Sequence, residues 1–162
     1  MNGAPDLSEL SIHELIRLHR TSLAELRSRG VVRTRNPPQG DWAEFLVATA
    51  YSGELAPNSE KSWDVLAAGD RRLQVKARVL DPDRVGSNVT GVFRSWDFDA
   101  AVIVLFNDNL EVTAASELHV DDVKDMCRFS KHVRGSAMRP TPANLARGID
   151  VTTKLQVAAS RA

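Results

Sequence analysis

Ala100–Phe106 reads Ala-Ala-Val-Ile-Val-Leu-Phe, an unbroken apolar run of strand length, and it constrains the fold more than any other stretch. A strand with no polar position has no wet face, so this segment predicts a central strand buried on both sides. The run is far too short to span a bilayer. A sheet built around it needs cover on both faces, and the chain offers helices before and after it.

The first helix is signalled by Ser11-x-x-Glu14, a capping box in which serine and glutamate each satisfy an orphan amide. Ile12, Leu15, Ile16, Leu23 and Leu26 follow on one face at helical spacing, and Gly30 ends the run. Residues 33–40 read as a basic loop stopped by two prolines. A second helix is expected from Asp41, with Asp41-x-x-Glu44 as another capping box, to about Tyr51. Ser62–Ala67 reads as a short strand and Gly69-Asp70 as a reversal. Leu73, Val75, Ala77 and Val79 then alternate with Arg72, Gln74, Lys76 and Arg78 at a period of two. After the polar 81–91 loop and a possible short helix near Arg94, the central strand leads through Asn107–Asn109 to a strand at 110–114. Ser116–Met126 is expected to be helical, and Thr141-Pro142 and Asp150 to start short C-terminal helices. Both kinds of element in one chain predict an α/β fold with a mixed sheet flanked by helices.

At 162 residues the chain makes about one domain: an N-terminal helix at about 11–29, a core at about 40–126 and a helical segment at about 127–160. An apolar fraction of 43% with zero net charge excludes disorder for the bulk of it. The single cysteine, Cys127, excludes an internal disulfide framework and a cysteine-based zinc cluster. Nothing in Met1–Asp6 looks like a signal peptide, so a cytoplasmic protein without membrane partners is expected.

The zero net charge hides an uneven distribution. Residues 71–94 hold six basic side chains against two acids, and residues 128–147 hold five against none. The stretch 97–125 carries eight acids and one base. These numbers predict one positive face built from Arg72, Lys76, Arg78 and part of 128–147, with the acids mostly elsewhere.

Glu44, Asp64, Gln74 and Lys76 are the residues whose chemistry converges. Gln74 and Lys76, two apart on an alternating strand, share a face. Asp64 precedes them on the same hairpin, and the parity of the loop decides its side. A two-residue turn at Gly69-Asp70 puts Asp64 on the opposite face. An odd loop such as Gly69-Asp70-Arg71, or a bulge, puts it on theirs. On a shared face, a carboxylate and an amide oxygen make a hard-oxygen site of the kind magnesium takes. Glu44, one helix back, would add a direct or water-mediated ligand. Lys76 would orient or help deprotonate a water, which suits metal-assisted phosphodiester hydrolysis.

Asp64, nine residues, then Gln74-Val75-Lys76, with Glu44 in the preceding helix, resembles the PD-(D/E)xK nuclease superfamily in its Mrr-type variant with glutamine in the middle. The segment Asn58–Asp64, Phe98-Asp99-Ala-Ala-Val and Ile149-Asp-Val-Thr152 are similar to small uncharacterised bacterial members. Trp63 stands where a proline usually precedes the aspartate, and glutamine brings no charge. The resemblance implies a restriction-endonuclease-like α-β-β-β-α-β core with an extra N-terminal helix. It implies a Mg²⁺-dependent endodeoxyribonuclease, with Mn²⁺ as a possible substitute. Asp64, Gln74 and Glu44 would be the metal ligands, and Lys76 would activate water. Arg72, Arg78 and Arg84, with residues of 128–147, are candidate contacts to the phosphates of DNA. A homodimer and a separate specificity or pathway partner are further expectations. The rival reading is a catalytically inactive domain of the same fold, serving as a nucleic-acid-binding or assembly module.

Other polar residues assemble nothing comparable. Cys127, His119 and His132 have no spacing that makes a nucleophile pair, and His13 and His19 are not spaced as helical metal ligands. Trp42, Trp63 and Trp96 read as core or interface residues.

Overall fold

A computed structural model describes residues 6–33, 38–80, 83 and 88–162. Arg84, a candidate phosphate contact, lies outside them, as do Asp81 and Pro82 of the expected polar loop. The fold is α/β, with a mixed six-stranded sheet and helices packed against it.

Helix α1 (Ile12–Ser28) has the expected capping box, with Ser11 and Glu14 bonded reciprocally. Its apolar positions are largely unburied, and Ile12 is 79% exposed. Helix α2 (Gln39–Ala50) is followed by β1 (Glu54–Leu55), β2 (Val65–Ala67), β3 (Arg71–Val79), β4 (Ala100–Phe106) and β5 (Val112–His119). Then come α3 (Val120–Met126), a small hairpin of β6 (Arg128–Ser130) and β7 (Gly135–Ala137), α4 (Pro142–Leu145), β8 (Ile149–Asp150) and α5 (Thr152–Ala159). The main sheet runs β1-β2-β3-β4-β5-β8, and β3 with β4 is its one parallel pair.

The apolar run is the central strand expected of it. Every residue of β4 is buried, and its alternation feeds two cores. Ala100, Val102, Val104 and Phe106 join Leu73 and Val75 of β3, Ala43, Leu46 and Val47 of α2, and Leu155 of α5. Ala101, Ile103 and Leu105 face the other way, onto Phe93, Phe98, Leu118, Val123 and Met138. Truncating one of the large side chains, such as Leu73, costs about 2–5 kcal/mol in lost burial and cavity formation.

Several sequence expectations need correction. The helix expected from Ser116 starts at Val120, because β5 runs on to His119 and pairs with β4 as far as Ala100↔His119. Tertiary pairing outweighs local preference there. Helix α2 begins at Gln39 with Pro38 at its N-cap and no side-chain capping bond, so Asp41 and Glu44 do not form a capping box. Arg33 claims both: its amide donates to Asp41 (2.9 Å) and its guanidinium to Glu44. The expected Ser62–Ala67 strand shortens to Val65–Ala67. No helix forms near Arg94, where Phe93 instead bridges to Ser136. The β6–β7 hairpin lies in the segment read as helical.

No helix among the described residues is long and apolar enough to cross a membrane.

Candidate active site

Strands β2 and β3 pair over only three positions, from Ala67↔Arg71 to Val65↔Leu73. Their loop, Ala68-Gly69-Asp70, has three residues. It is the odd parity that puts Asp64 with Gln74, though one position earlier than Gly69-Asp70-Arg71. Gly69 and Asp70 both have positive φ (+73° and +57°), which glycine adopts freely and aspartate tolerates. The Asp64 amide also donates to the Leu73 carbonyl (2.8 Å), so Asp64 and Val65 both address Leu73. Two residues facing one kink a strand in the manner of a bulge. The chain departs from β3 here, while β3 runs on to Val79 against β4.

The Asp64 side chain fills the place of the departed strand. Its Oδ2 accepts from the Val75 amide (2.7 Å) and from Gln74 Nε2. A short carboxylate thus replaces the missing ladder carbonyl, a local side-chain-to-backbone substitution that aspartate makes readily. Oδ1 accepts no hydrogen bond from the described residues. Gln74 itself is buried (7% exposed).

Lys76, one strand repeat further, lies on the same face as Gln74. Its Nζ is 5.2 Å from the centroid of the Phe93 ring. Within 4 Å it forms no ion pair with the described residues. Burial pushes its pKa down, the Arg94 charge adds to that, and the charges of Asp64 and Glu44 oppose it. The result is a lysine that loses its proton more readily than one in water.

Glu44 enters from α2. Arg33 Nη2 is 2.8 Å from Glu44 Oε2, and Arg33 Nη1 donates to the Ala56 carbonyl (2.6 Å). The Ala56 amide in turn donates to the Asp64 carbonyl (2.8 Å), so Arg33 ties helix and strand segment into one unit. Burial raises the Glu44 carboxyl to about 6, with the Asp64 charge next in weight, against the lowering effect of Arg33. Asp64 is raised as well, chiefly by burial, which outweighs the Val75 amide, Lys76, Gln74 and Arg33.

Glu44, Asp64, Gln74 and Lys76 therefore meet at one splayed edge. The two carboxylates are held in a place short of compensating positive charge. Oε1 of Glu44, like Oδ1 of Asp64, takes no hydrogen bond from the described residues. That is a donor set a hard divalent cation fits: two carboxylate oxygens and an amide oxygen, with water completing the shell. The set is lean. No group of three or more His, Cys, Asp or Glu side chains able to hold a metal occurs among the described residues. Gln74 turns its amide nitrogen to Asp64, so its oxygen would need a half-turn to join Asp64 around a cation.

The expected phosphate contacts fare differently. Arg72 pairs with Asp97 and Asp99, and its amide donates to Asp99 (2.8 Å). The Nε of Arg78 is buried with no hydrogen-bond partner among the described residues. Arg71 pairs with Glu117, and Arg147 with Asp122 and Asp125 (2.7 Å each). The expectation of one positive face kept apart from the acids of 97–125 is corrected by these pairs. In sequence the acids form a block; in space Arg71, Arg72 and Arg147 reach into it.

Arg33 and Phe93 complete the site and were not singled out from sequence. Arg33 belonged to an undifferentiated basic loop, and its partners lie 11 and 23 residues away. Phe93 carries no polar signal at all.

No protein-family model matches this chain, and no curated protein matches it.

Proposed function

We propose that the protein hydrolyses phosphodiester bonds of DNA with the help of a divalent cation, Mg²⁺ or Mn²⁺, at the Glu44–Asp64–Gln74–Lys76 edge. The observation that carries this reading is the convergence of two pKa-raised carboxylates, an amide and a lysine without an ion pair among the described residues, where β2 leaves β3. Asp64, Gln74 and Glu44 would hold the cation. Once bound, it supplies Lewis-acid polarisation of the phosphoryl group and offsets the charge that develops there.

The remaining steps belong to this chain's own side chains. Lys76 holds the attacking water at Nζ and takes its proton from the neutral form of the amine, a form that burial makes easier to reach. Its contact with the Phe93 ring fixes where that nitrogen sits. Arg33 keeps Glu44 oriented and helps keep it ionised.

The order α2, β1, β2, β3, with the acidic residue and the Gln-x-Lys pair on one hairpin, supports a restriction-endonuclease-like core of the PD-(D/E)xK type. The chain departs from the expected α-β-β-β-α-β order after β3, where the described residues leading to β4 hold no α-helix. A further strand, β5, then follows β4 before the next helix.

A second reading, an inactive nuclease-fold domain used for binding or assembly, is favoured by one observation. Protein donors already sit on both carboxylates, Arg33 on Glu44 and Gln74 with Val75 on Asp64. Incubating duplex and single-stranded DNA with Mg²⁺ or Mn²⁺ separates the two. The proposal expects cleavage by the wild type that Asp64→Ala and Lys76→Ala abolish. No cleavage of any substrate supports the inactive module, and cleavage surviving both substitutions refutes this site.

A further inference from the structure

The β6–β7 hairpin presents a continuous exposed surface. From Arg128 through Arg134, seven consecutive residues are exposed. Arg128, Lys131 and Arg134 form no ion pair with the described residues, whereas Arg71, Arg72 and Arg147 each have a carboxylate partner. Phe129 is 68% exposed and Val133 41%. The hairpin thus offers an apolar ring and positive charge together at the surface. It suits a partner that offers negative charge and a flat apolar face together.

The hairpin is also joined to the candidate active site. Phe129 pairs with Ser136, and Ser136 bridges to Phe93 through two backbone hydrogen bonds (2.7 and 3.0 Å). Directly opposed residues present their side chains on one face. Phe129, Ser136 and Phe93 thus form a row across three adjacent chain segments, about 10 Å from end to end. Phe93 at the inner end carries Lys76 Nζ against its ring.

We infer that this hairpin grips an unpaired nucleic-acid strand, with Phe129 stacking on a base and Arg128, Lys131 and Arg134 holding phosphates. The inference rests on the reading that the substrate is a nucleic acid, and it adds which form of strand is held and by what. Bases in a duplex already stack on one another, whereas an unpaired base offers a free face to an aromatic side chain. The preference is therefore for single-stranded DNA or a single-stranded extension over a blunt duplex.

The test is fluorescence anisotropy with a labelled single-stranded oligonucleotide and its blunt duplex, in EDTA, across a range of salt. Phe129→Ala should weaken single-strand binding about 5- to 100-fold and leave the salt dependence unchanged. The combined Arg128→Ala, Lys131→Ala and Arg134→Ala variant should lower the slope of log K against log salt by about 2 on single strands. All four positions are exposed, and an unchanged melting curve for each variant checks the fold. Wild-type affinity in Phe129→Ala, an unaltered salt slope in the triple variant, or no binding to either oligonucleotide overturns the inference. So does tighter binding to a polyglutamate peptide than to the oligonucleotides, which would point to an acidic protein partner. Binding that depends on the hairpin, with no cleavage in Mg²⁺ or Mn²⁺, supports the inference while the hydrolytic reading fails. Cleavage by a protein whose hairpin variants bind like the wild type overturns the inference alone.

Discussion

Asp99 and the pair Asp64–Glu44 are carboxylates at opposite ends of an electrostatic scale within one small fold. Asp99 is half-exposed, accepts the Arg72 amide, and lies 3.6 Å from the Arg72 guanidinium, so its pKa is lowered. Asp64 and Glu44 also have hydrogen-bond donors, yet burial outweighs them and their pKa values are raised. Removing charges from water costs more than imperfect partners return. A site of that kind persists where something else, a cation or a substrate, completes the compensation when bound.

The largest effect expected from this contrast is on catalysis. Lys76→Met keeps the stem of the side chain on Phe93 and removes its amine, so DNA cleavage should fall about 100- to 10,000-fold. A melting curve for the variant checks that it folds. A variant equally active in a gel-based cleavage assay would put the contrast down to structure alone.

Arg33→Gln is next. It leaves Glu44, a largely buried carboxylate, without its guanidinium and should destabilise the protein by about 2–3 kcal/mol, discounted for partial exposure. Urea unfolding at pH 7 measures it. Loss of only a few tenths would mean that Arg33 is a surface decoration.

The pH dependence follows from the Glu44 value. Its folded pKa, about 6, exceeds the ordinary 4.5, so the folded state binds the proton more tightly. The contribution of Glu44 to stability is therefore greatest below pH 4.5 and is lost as pH rises through 6. Relative to wild type, Glu44→Gln should gain about 2 kcal/mol between pH 4 and pH 7. Parallel stability curves for the two proteins would contradict the raised pKa. Arg72→Ala, by contrast, breaks an exposed pairing and should leave the unfolding midpoint nearly where it is.

How much of this was legible in the sequence depends on how local the signal is. The capping box of α1, the alternation of β3 and the apolar run of β4 are written in adjacent residues, and each element stands where it was expected. The fate of Ser116–His119 was not legible, because pairing with Ala100–Ile103 decides it. The grouping of Asp64, Gln74 and Lys76 was half legible. Strand periodicity put Gln74 and Lys76 together, while the side taken by Asp64 hung on one residue of loop length. Arg33 was illegible for a plainer reason: its partners lie in other segments and it sits in no periodic pattern. The charge blocks misled in the same way, since a run along the chain says little about which side chains meet across a sheet.

The account turns on whether the buried carboxylates at the β2–β3 edge hold a divalent cation. Isothermal titration of Mn²⁺ into the wild type, Asp64→Ala and Lys76→Met measures that without reference to any substrate. Saturable binding to the wild type and to Lys76→Met, lost in Asp64→Ala, is the predicted result. Absence of binding to the wild type, or binding that survives Asp64→Ala, would contradict it.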